Sequence, residues 1–361
     1  MKFRCERDVL LESLGVAGRA VSKSLPGLSG IQAVLKGDQL TFTGSDRDLT
    51  ISVSVVVSGE EDGTAVIPAR LAADIVKAIK PGAVSLKVED DSLIIESGPS
   101  SFNIRLISSD DFPKLGSLDT ETVALSSEDL TQALKQVVLA ASSDDSRPIL
   151  TGVMLASEGS GLRLVATDSY RLSMRDIPNV SVLEEGQSVL IPSRALGELN
   201  RVLGQGDKVE LQLGEKEAAF KVGDISLSTR LIDGEFPNYR GLIPESHPNK
   251  LTVKRSDFLD SLRRVKLLAS DSTPVRLEMT STGTKMVAVT QDVGTAEESI
   301  EGKYEGTDLT VAFNPQYLLE GIEITPGDEI TLSTIDELKP ALIHSVGLDE
   351  LLYLLMPVRV S

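Results

Sequence analysis

The chain has 361 residues, 41% of them hydrophobic and 25% charged, and carries a net charge of −18 at pH 7. This is the composition of a folded globular protein too long for one core of ordinary size, and no run approaches the roughly 18 apolar residues of a membrane span. So acidic a surface repels nucleic acid and anionic membranes at long range, unless the basic residues are gathered onto one face.

Glu6 and Asp8 stand where a secretion signal would carry its apolar run, and the lone Cys5 cannot form an internal disulfide. Both lead us to expect a cytoplasmic protein. Leu10, Leu14, Ala17 and Val21 then recur at helical spacing, with Arg19 off that face. Lys36-Gly37-Asp38 predicts a turn, and Leu40-Thr41-Phe42-Thr43 alternates as a strand does. Ile67-Pro68-Ala69-Arg70 leads into a second helix with Leu71, Ile75 and Ile79 expected inside and Arg70, Lys77 and Lys80 outside. Pro81-Gly82 marks a further turn, and Asp111-Phe112-Pro113 closes the stretch.

The plan then restarts. Leu130, Leu134, Val137 and Ala141 predict a helix that leaves Gln132, Lys135 and Gln136 off its apolar face. Leu162-Arg163-Leu164-Val165-Ala166 and Glu210-Leu211-Gln212-Leu213 read as strands on either side of Ile191-Pro192-Ser193-Arg194. That motif opens a helix with Leu196, Leu199 and Leu203 inside and Arg194 and Arg201 outside, and Glu235-Phe236-Pro237 closes the stretch. A third round offers Phe258, Leu262, Val265 and Ala269 as the buried face, with Arg263, Arg264 and Lys266 outside it. Phe313-Asn314-Pro315, a helical segment from Tyr317 to Gly321 without a basic residue, the turn Pro326-Gly327-Asp328 and finally Met356-Pro357 complete it.

A period of about 120 residues is that of tandem domains, since solenoid repeats run to roughly 20 to 50. We expect domains at 1–119, 120–246 and 247–361, each made of two β-rich halves with one helix apiece, an α+β architecture.

Chemistry is harder to find. His247 and His344 have no zinc-site spacing, and phosphate loops, dinucleotide fingerprints and nucleophile elbows are missing from the sequence. Cys5 has no nearby histidine, which fits a structural thiol. The pairs Asp110-Asp111 and Asp144-Asp145 read as solvated loops rather than magnesium ligands. No catalytic residue, metal site or cofactor is expected, and the chain reads as a non-enzyme.

Ala166-Thr167-Asp168-Ser169-Tyr170-Arg171-Leu172, Asp233-Gly234-Glu235-Phe236-Pro237-Asn238-Tyr239 and Leu354-Leu355-Met356-Pro357-Val358-Arg359 together resemble the bacterial DNA polymerase III β subunit family, the sliding clamps. The resemblance extends from Met1-Lys2-Phe3 to the last residues. It implies three tandem clamp domains with antiparallel sheets outside and two helices per domain inside. It also implies a head-to-tail homodimer closing a ring on double-stranded DNA, and a replicative DNA polymerase, a clamp loader and other motif-bearing proteins as partners. Basic residues on inner helices then reconcile the acidic exterior with DNA. Lys23, Arg70, Lys77, Arg147, Arg194 and Arg201 are the implied DNA-facing residues, with Arg263 and Arg264 as further candidates.

The family's peptide-binding pocket falls here on Leu150, Thr167, Leu172, Pro237, Leu242, Leu354 and Met356. Asn314, Tyr317, Pro357 and Val358 stand alongside, Ser169 and Tyr170 lie in its motif, and Arg147 and Arg171 fringe it. Tyr170 stands where the family often has His, Gly241 where it often has a basic residue, Pro340 where it often has Ser, and Pro148-Ile149 where some relatives carry aromatics. The head-to-tail geometry places domain one against domain three of a neighbour, with edges expected around Ser101 to Leu106 and near Asp271 to Arg276. The readings that compete are a clamp paralogue specialised for antibiotic protection or repair, a carboxylate-dependent hydrolase, and a structural protein forming tubes or shells.

Overall fold

A computed structural model describes the chain except for Lys23, Asp110, Asp111, 114–117, Asp119, Ser160, 270–272 and 360–361. The expectations for Lys23, for the pair Asp110-Asp111 and for Asp271 at the subunit edge lie outside the described residues. Six α-helices are described: α1 (Arg7–Ala17), α2 (Ala69–Ala78), α3 (Ser127–Val137), α4 (Ser193–Asn200), α5 (Arg255–Val265) and α6 (Pro315–Ile324). Each follows one strand and precedes three, so the order strand, helix, three strands recurs six times. Short extra strands, Ser58–Glu61 and Gly302–Glu305, occur in the first and third repeats.

The chain divides into two compact units, one of Met1–Glu128 with Arg194–Leu231 and the other of Asp129–Ser193 with Ile232–Ser361, so the middle repeat contributes to both. In the first unit a five-stranded sheet runs Ser58–Glu61, Lys2–Glu6, Ala83–Glu89, Ser92–Ser97, Ser100–Arg105. An eight-stranded sheet accompanies it and is continuous between repeats, because Ile225–Arg230 pairs antiparallel with Leu49–Val56 in the register Ile225↔Val53 to Thr229↔Leu49. The second unit has a four-stranded sheet in the order Gly294–Ile300, Gly283–Thr290, Val275–Thr280, Leu309–Phe313, and a nine-stranded sheet. The latter is joined in the same manner, with Arg171–Ile177 antiparallel to Leu348–Leu355 in the register Leu172↔Leu354.

The helices bury one stripe each, largely as the periodicity predicts. Leu10, Leu14 and Ala17 of α1, Leu130, Leu134 and Val137 of α3, Leu196 and Leu199 of α4, and Phe258, Leu262 and Val265 of α5 are all in the core. Val21, Ala141 and Ala269 lie past tight 3₁₀ turns that end their helices, and are only partly buried. Two assignments change. In α2 the buried stripe is Ala69, Ala72 and Val76, continued by Ile79, and Leu71 is 48% exposed. Several stripes are compatible with a helix this short, and small alanines allow the close approach to α1 that selects this one. Gln136, expected outside, is buried: its Nε2 donates to Ile324 O at 3.0 Å and its backbone carbonyl accepts from Ser173 Oγ at 2.6 Å, while its Oε1 is left without a partner.

Glycine marks the tightest packing. A Cβ on Gly44 would stand 2.0 Å from Ala17 O, at the end of α1, and one on Gly321 would stand 2.3 Å from the Tyr353 ring. No helix among the described residues is long and apolar enough to cross a membrane.

Candidate functional site

The hairpin turn between Gly161–Thr167 and Arg171–Ile177 organises the site. Ser169 has φ 82°, a left-handed conformation that non-glycine residues adopt only when local bonds support it. Here they do: Asp168 Oδ1 accepts from Tyr170 N at 2.9 Å and Arg171 N at 3.0 Å, Ser169 N donates to Thr167 Oγ1 at 3.2 Å, and Thr167 Oγ1 donates to Arg171 O at 2.7 Å. The turn lifts Tyr170 to the surface, 61% exposed. Beneath it Leu172 and Leu354 pair across strands and enter an apolar cluster with Met154, Val165, Leu190 and Tyr239. Met356, Ile149, Phe236 and Ile243 pack partly buried against that cluster.

The walls come from two connections. After Leu355 the chain donates Met356 N to Tyr170 O at 2.9 Å and Val358 N to Ala312 O at 2.8 Å, which stretches Met356, Pro357 and Val358 from the turn to strand Leu309–Phe313. The second is the 3₁₀ turn Arg240–Leu242, which leaves Leu242 48% exposed, with Pro237 also exposed. Arg240 Nη2 donates to Glu158 Oε2 at 2.5 Å, and Glu158 also pairs with Arg163 at 3.1 Å, which ties this turn to the sheet. Asn314 caps α6 by accepting from Gln316 N at 2.9 Å and Tyr317 N at 3.2 Å, so Tyr317 stands in the first turn of the helix. A cleft of about 540 Å³ lined by Arg276, Thr310, Ala312, Glu337, Leu338, Val358 and Arg359 continues past the stretched segment.

Thr167, Leu172 and Leu354 thus form the buried floor, while Tyr170, Pro237, Leu242 and Val358 are exposed around it and Leu150, Asn314, Tyr317, Met356 and Pro357 are half-buried. Arg147 lies beside the turn, donating to Ser169 Oγ at 3.3 Å and to Asp144 Oδ2 at 3.0 Å. Bonds from Ser146 first, and then from Arg147, hold the Asp144 carboxyl below the ordinary carboxylate range. Arg171 departs from its expected place: it is 8% exposed and lies behind the wall rather than at its fringe. Its Nε donates to Asp168 Oδ2 at 3.1 Å, Nη1 to Glu320 Oε2, and Nη2 to Leu139 O at 2.6 Å, and its guanidinium lies 4.2 Å from the Tyr317 ring centroid. Burial alone would lower its pKa, and Tyr353 and Glu320 outweigh that, so the group stays charged. Glu320 carries no signal in the sequence, Phe236 lies in the Glu235-Phe236-Pro237 motif without being marked as a site residue, and Ile149 is noted there only as a place where some relatives carry aromatics.

The candidate DNA-facing residues divide by their partners. Arg70 is exposed, 3.9 Å from Asp74, and Lys77 is exposed in the last turn of α2. Arg194 pairs with Asp46, Arg201 donates to Glu198 at 2.6 Å, Arg263 to Glu323 at 2.9 Å and Arg264 to Glu298 at 2.7 Å. Cys5 is no nucleophile at neutral pH, since burial and then Glu6 push its thiol up to about 11. No group of three or more His, Cys, Asp and Glu side chains suited to a metal ion occurs among the described residues.

Fold and site together define a tandem-repeat α+β protein of clamp architecture. Signatures of the DNA polymerase III beta subunit match along the whole chain: its N-terminal domain at residues 1–116, its central domain at 124–238 and its C-terminal domain at 240–359. The chain is 31% identical over 380 residues to the beta sliding clamp of Streptomyces coelicolor, covering 100% of both, and 30% identical to that of Bacillus subtilis, covering 99% of this chain and 100% of the relative. Among solved structures, the sliding clamp of Bartonella birtlesii bound to griselimycin has a TM-score of 0.94 at 31% identity, and the Bacillus subtilis clamp 0.92 at 30%, each covering 100% of both chains. The chain belongs to the DNA polymerase III beta subunit family of sliding clamps.

Proposed function

We propose that two copies of this chain close head to tail into a ring around duplex DNA, and that the ring tethers the replicative polymerase in the cytoplasm. Tethering turns polymerase rebinding into an intramolecular event at high effective concentration. Sliding clamps are non-catalytic processivity factors, and this chain's work is topological. The repeats are 1–119, 120–246 and 247–361.

The observation that carries the reading is the sheet junction. At both junctions between repeats, the last strand of one repeat pairs with the last long strand in the first half of the repeat before it. The strands left over by that rule are Ser100–Arg105 and Gly294–Ile300, and each is an edge strand of its sheet. Joining them between two copies gives a heterologous contact that closes. The Gly294–Ile300 edge replaces the one expected up to Arg276, because Val275–Thr280 pairs on both sides. Near it stand exposed Leu267, 84%, and Val293, 67%, whose solvent exposure suits burial by a partner.

The groove around Leu172, Leu354 and Met356 is proposed to dock short apolar-anchored peptides from the polymerase, the clamp loader and other clamp-binding proteins, and to bind griselimycin. The test has two arms. The chain should persist on nicked circular DNA and run off linear DNA, and equal retention on both overturns the ring. Griselimycin should bind the parent chain and lose binding on Leu242→Asp, whereas unchanged binding overturns the groove.

A further inference from the structure

The first repeat supplies an internal control for Arg171. Its hairpin turn between Gln39–Ser45 and Leu49–Val56 is built as the Thr167–Leu172 turn is: Asp46 Oδ1 accepts from Asp48 N at 3.1 Å and Leu49 N at 2.8 Å, Arg47 N donates to Ser45 Oγ at 3.2 Å, and Arg47 has φ 83°. The registers Ser45↔Thr50 and Thr167↔Leu172 make Leu49 the counterpart of Arg171. Leu49 is buried, so this position of the turn needs no cation; the turn's carboxylate finds its arginine elsewhere, Asp46 Oδ2 pairing with Arg194 as Asp168 Oδ2 pairs with Arg171. A buried charge is costly unless fully paired, and an apolar residue of similar volume would serve stability as well or better. What Arg171 has and Leu49 lacks is a set of partners on α6.

Those partners converge on one groove side chain. Arg171 joins Glu320, Gln316 Nε2 donates to Glu320 Oε1, and Lys266 Nζ donates to Gln316 Oε1, forming a chain of charged and amide groups along α6. The guanidinium lies against the Tyr317 ring, and the carbonyl of Tyr317 accepts from Tyr353 Oη at 2.9 Å. Tyr317 is therefore held by its backbone, by packing against the neighbouring core and by the guanidinium on its ring, and it stays half-buried with part of its side chain exposed.

We propose that Arg171 and Glu320 are positioning residues for the docking groove: the ion pair holds the guanidinium as a plate behind Tyr317, so the ring presents a fixed wall to a ligand that neither charged group touches. A rigid aromatic wall lowers the ordering cost of binding. The inference rests on the groove proposed above.

The test is calorimetric titration of griselimycin into the full chain. Arg171→Leu with Glu320→Gln and Asp168→Asn removes all three charges, imitates Leu49, leaves no carboxylate unpaired and keeps a side-chain oxygen to accept from the backbone N–H groups of the turn. It should melt close to the parent yet bind about tenfold more weakly, the range of a desolvated cation–π contact. Arg171→Lys keeps the charge for Glu320 but loses the planar stack, and should weaken binding about threefold. Both effects should vanish in a Tyr317→Ala background, where there is no ring to hold. Parent affinity in either variant, or an undiminished loss without Tyr317, overturns the proposal. Full binding by Leu242→Asp would instead remove the groove itself, a failure the other variants do not share.

Discussion

Arginines offered to DNA in this chain are not free cations. Arg201 donates to Glu198 at 2.6 Å, Arg19 stands 3.9 Å from the same carboxylate, and Arg194 is paired with Asp46. Such pairs contribute little stability when exposed, but they reduce the charge each arginine offers to a passing phosphate. A ring that must move along DNA gains from weak contacts, because each neutralised phosphate adds affinity that resists sliding. Glu198→Gln should release Arg201, and retention on circular DNA should then depend more steeply on salt, by a slope of about 0.9 per added phosphate contact. An unchanged slope in a KCl titration would place Arg201 away from DNA.

Among the elements, α6 is constrained at three places. Its amino end is capped by Asn314, its first turn is stacked on Arg171, and its middle touches Tyr353 through Gly321 without room for a methyl group. Tyr353 is fully buried, and burial pushes its phenol above the ordinary range, so the hydroxyl remains a donor to Tyr317 O. Gly321→Ala must displace either the ring or the helix. We expect a loss of about 1 to 3 kcal/mol, the usual cost of overpacking a close-packed site, read as a lower melting temperature, with weaker griselimycin binding because Tyr317 shifts along with the helix. A melting temperature equal to the parent's would mean that Tyr353 moves at no cost.

For the whole molecule, the decisive property is that Ser100–Arg105 and Gly294–Ile300 keep one side open, where the corresponding strands of the other repeats are joined to each other. Leu267→Asp places a charge on the exposed apolar residue near the Gly294–Ile300 edge. Sedimentation at micromolar concentration should then show monomers where the parent gives dimers, and retention on circular DNA should be lost. Griselimycin should still bind, since the proposed groove lies within Asp129–Ser193 and Ile232–Ser361 of one chain. A dimer that survives this change would move the subunit contact elsewhere.

Much of this was legible beforehand, for a physical reason. Helix faces and strand alternation follow from local geometry, so Leu130, Leu134 and Val137, or Phe258, Leu262 and Val265, announce their buried side within one segment, and repetition of the pattern announces three domains. Proline and glycine mark turns because their backbones restrict or widen φ locally. The motif around Thr167 to Leu172 likewise carries its own turn in its own hydroxyl and carboxylate. What no segment can specify alone is a partner far along the chain. Gln136 is polar by every local measure and is buried, with Ile324 O, 188 residues later, accepting from its Nε2. Arg171 looks like a surface cation until Glu320, 149 residues on, and Tyr317 close over it. The choice among possible stripes in α2, and of which strand edge stays open, was likewise settled by tertiary packing, because competing local solutions differ in energy only once the neighbouring element is in place.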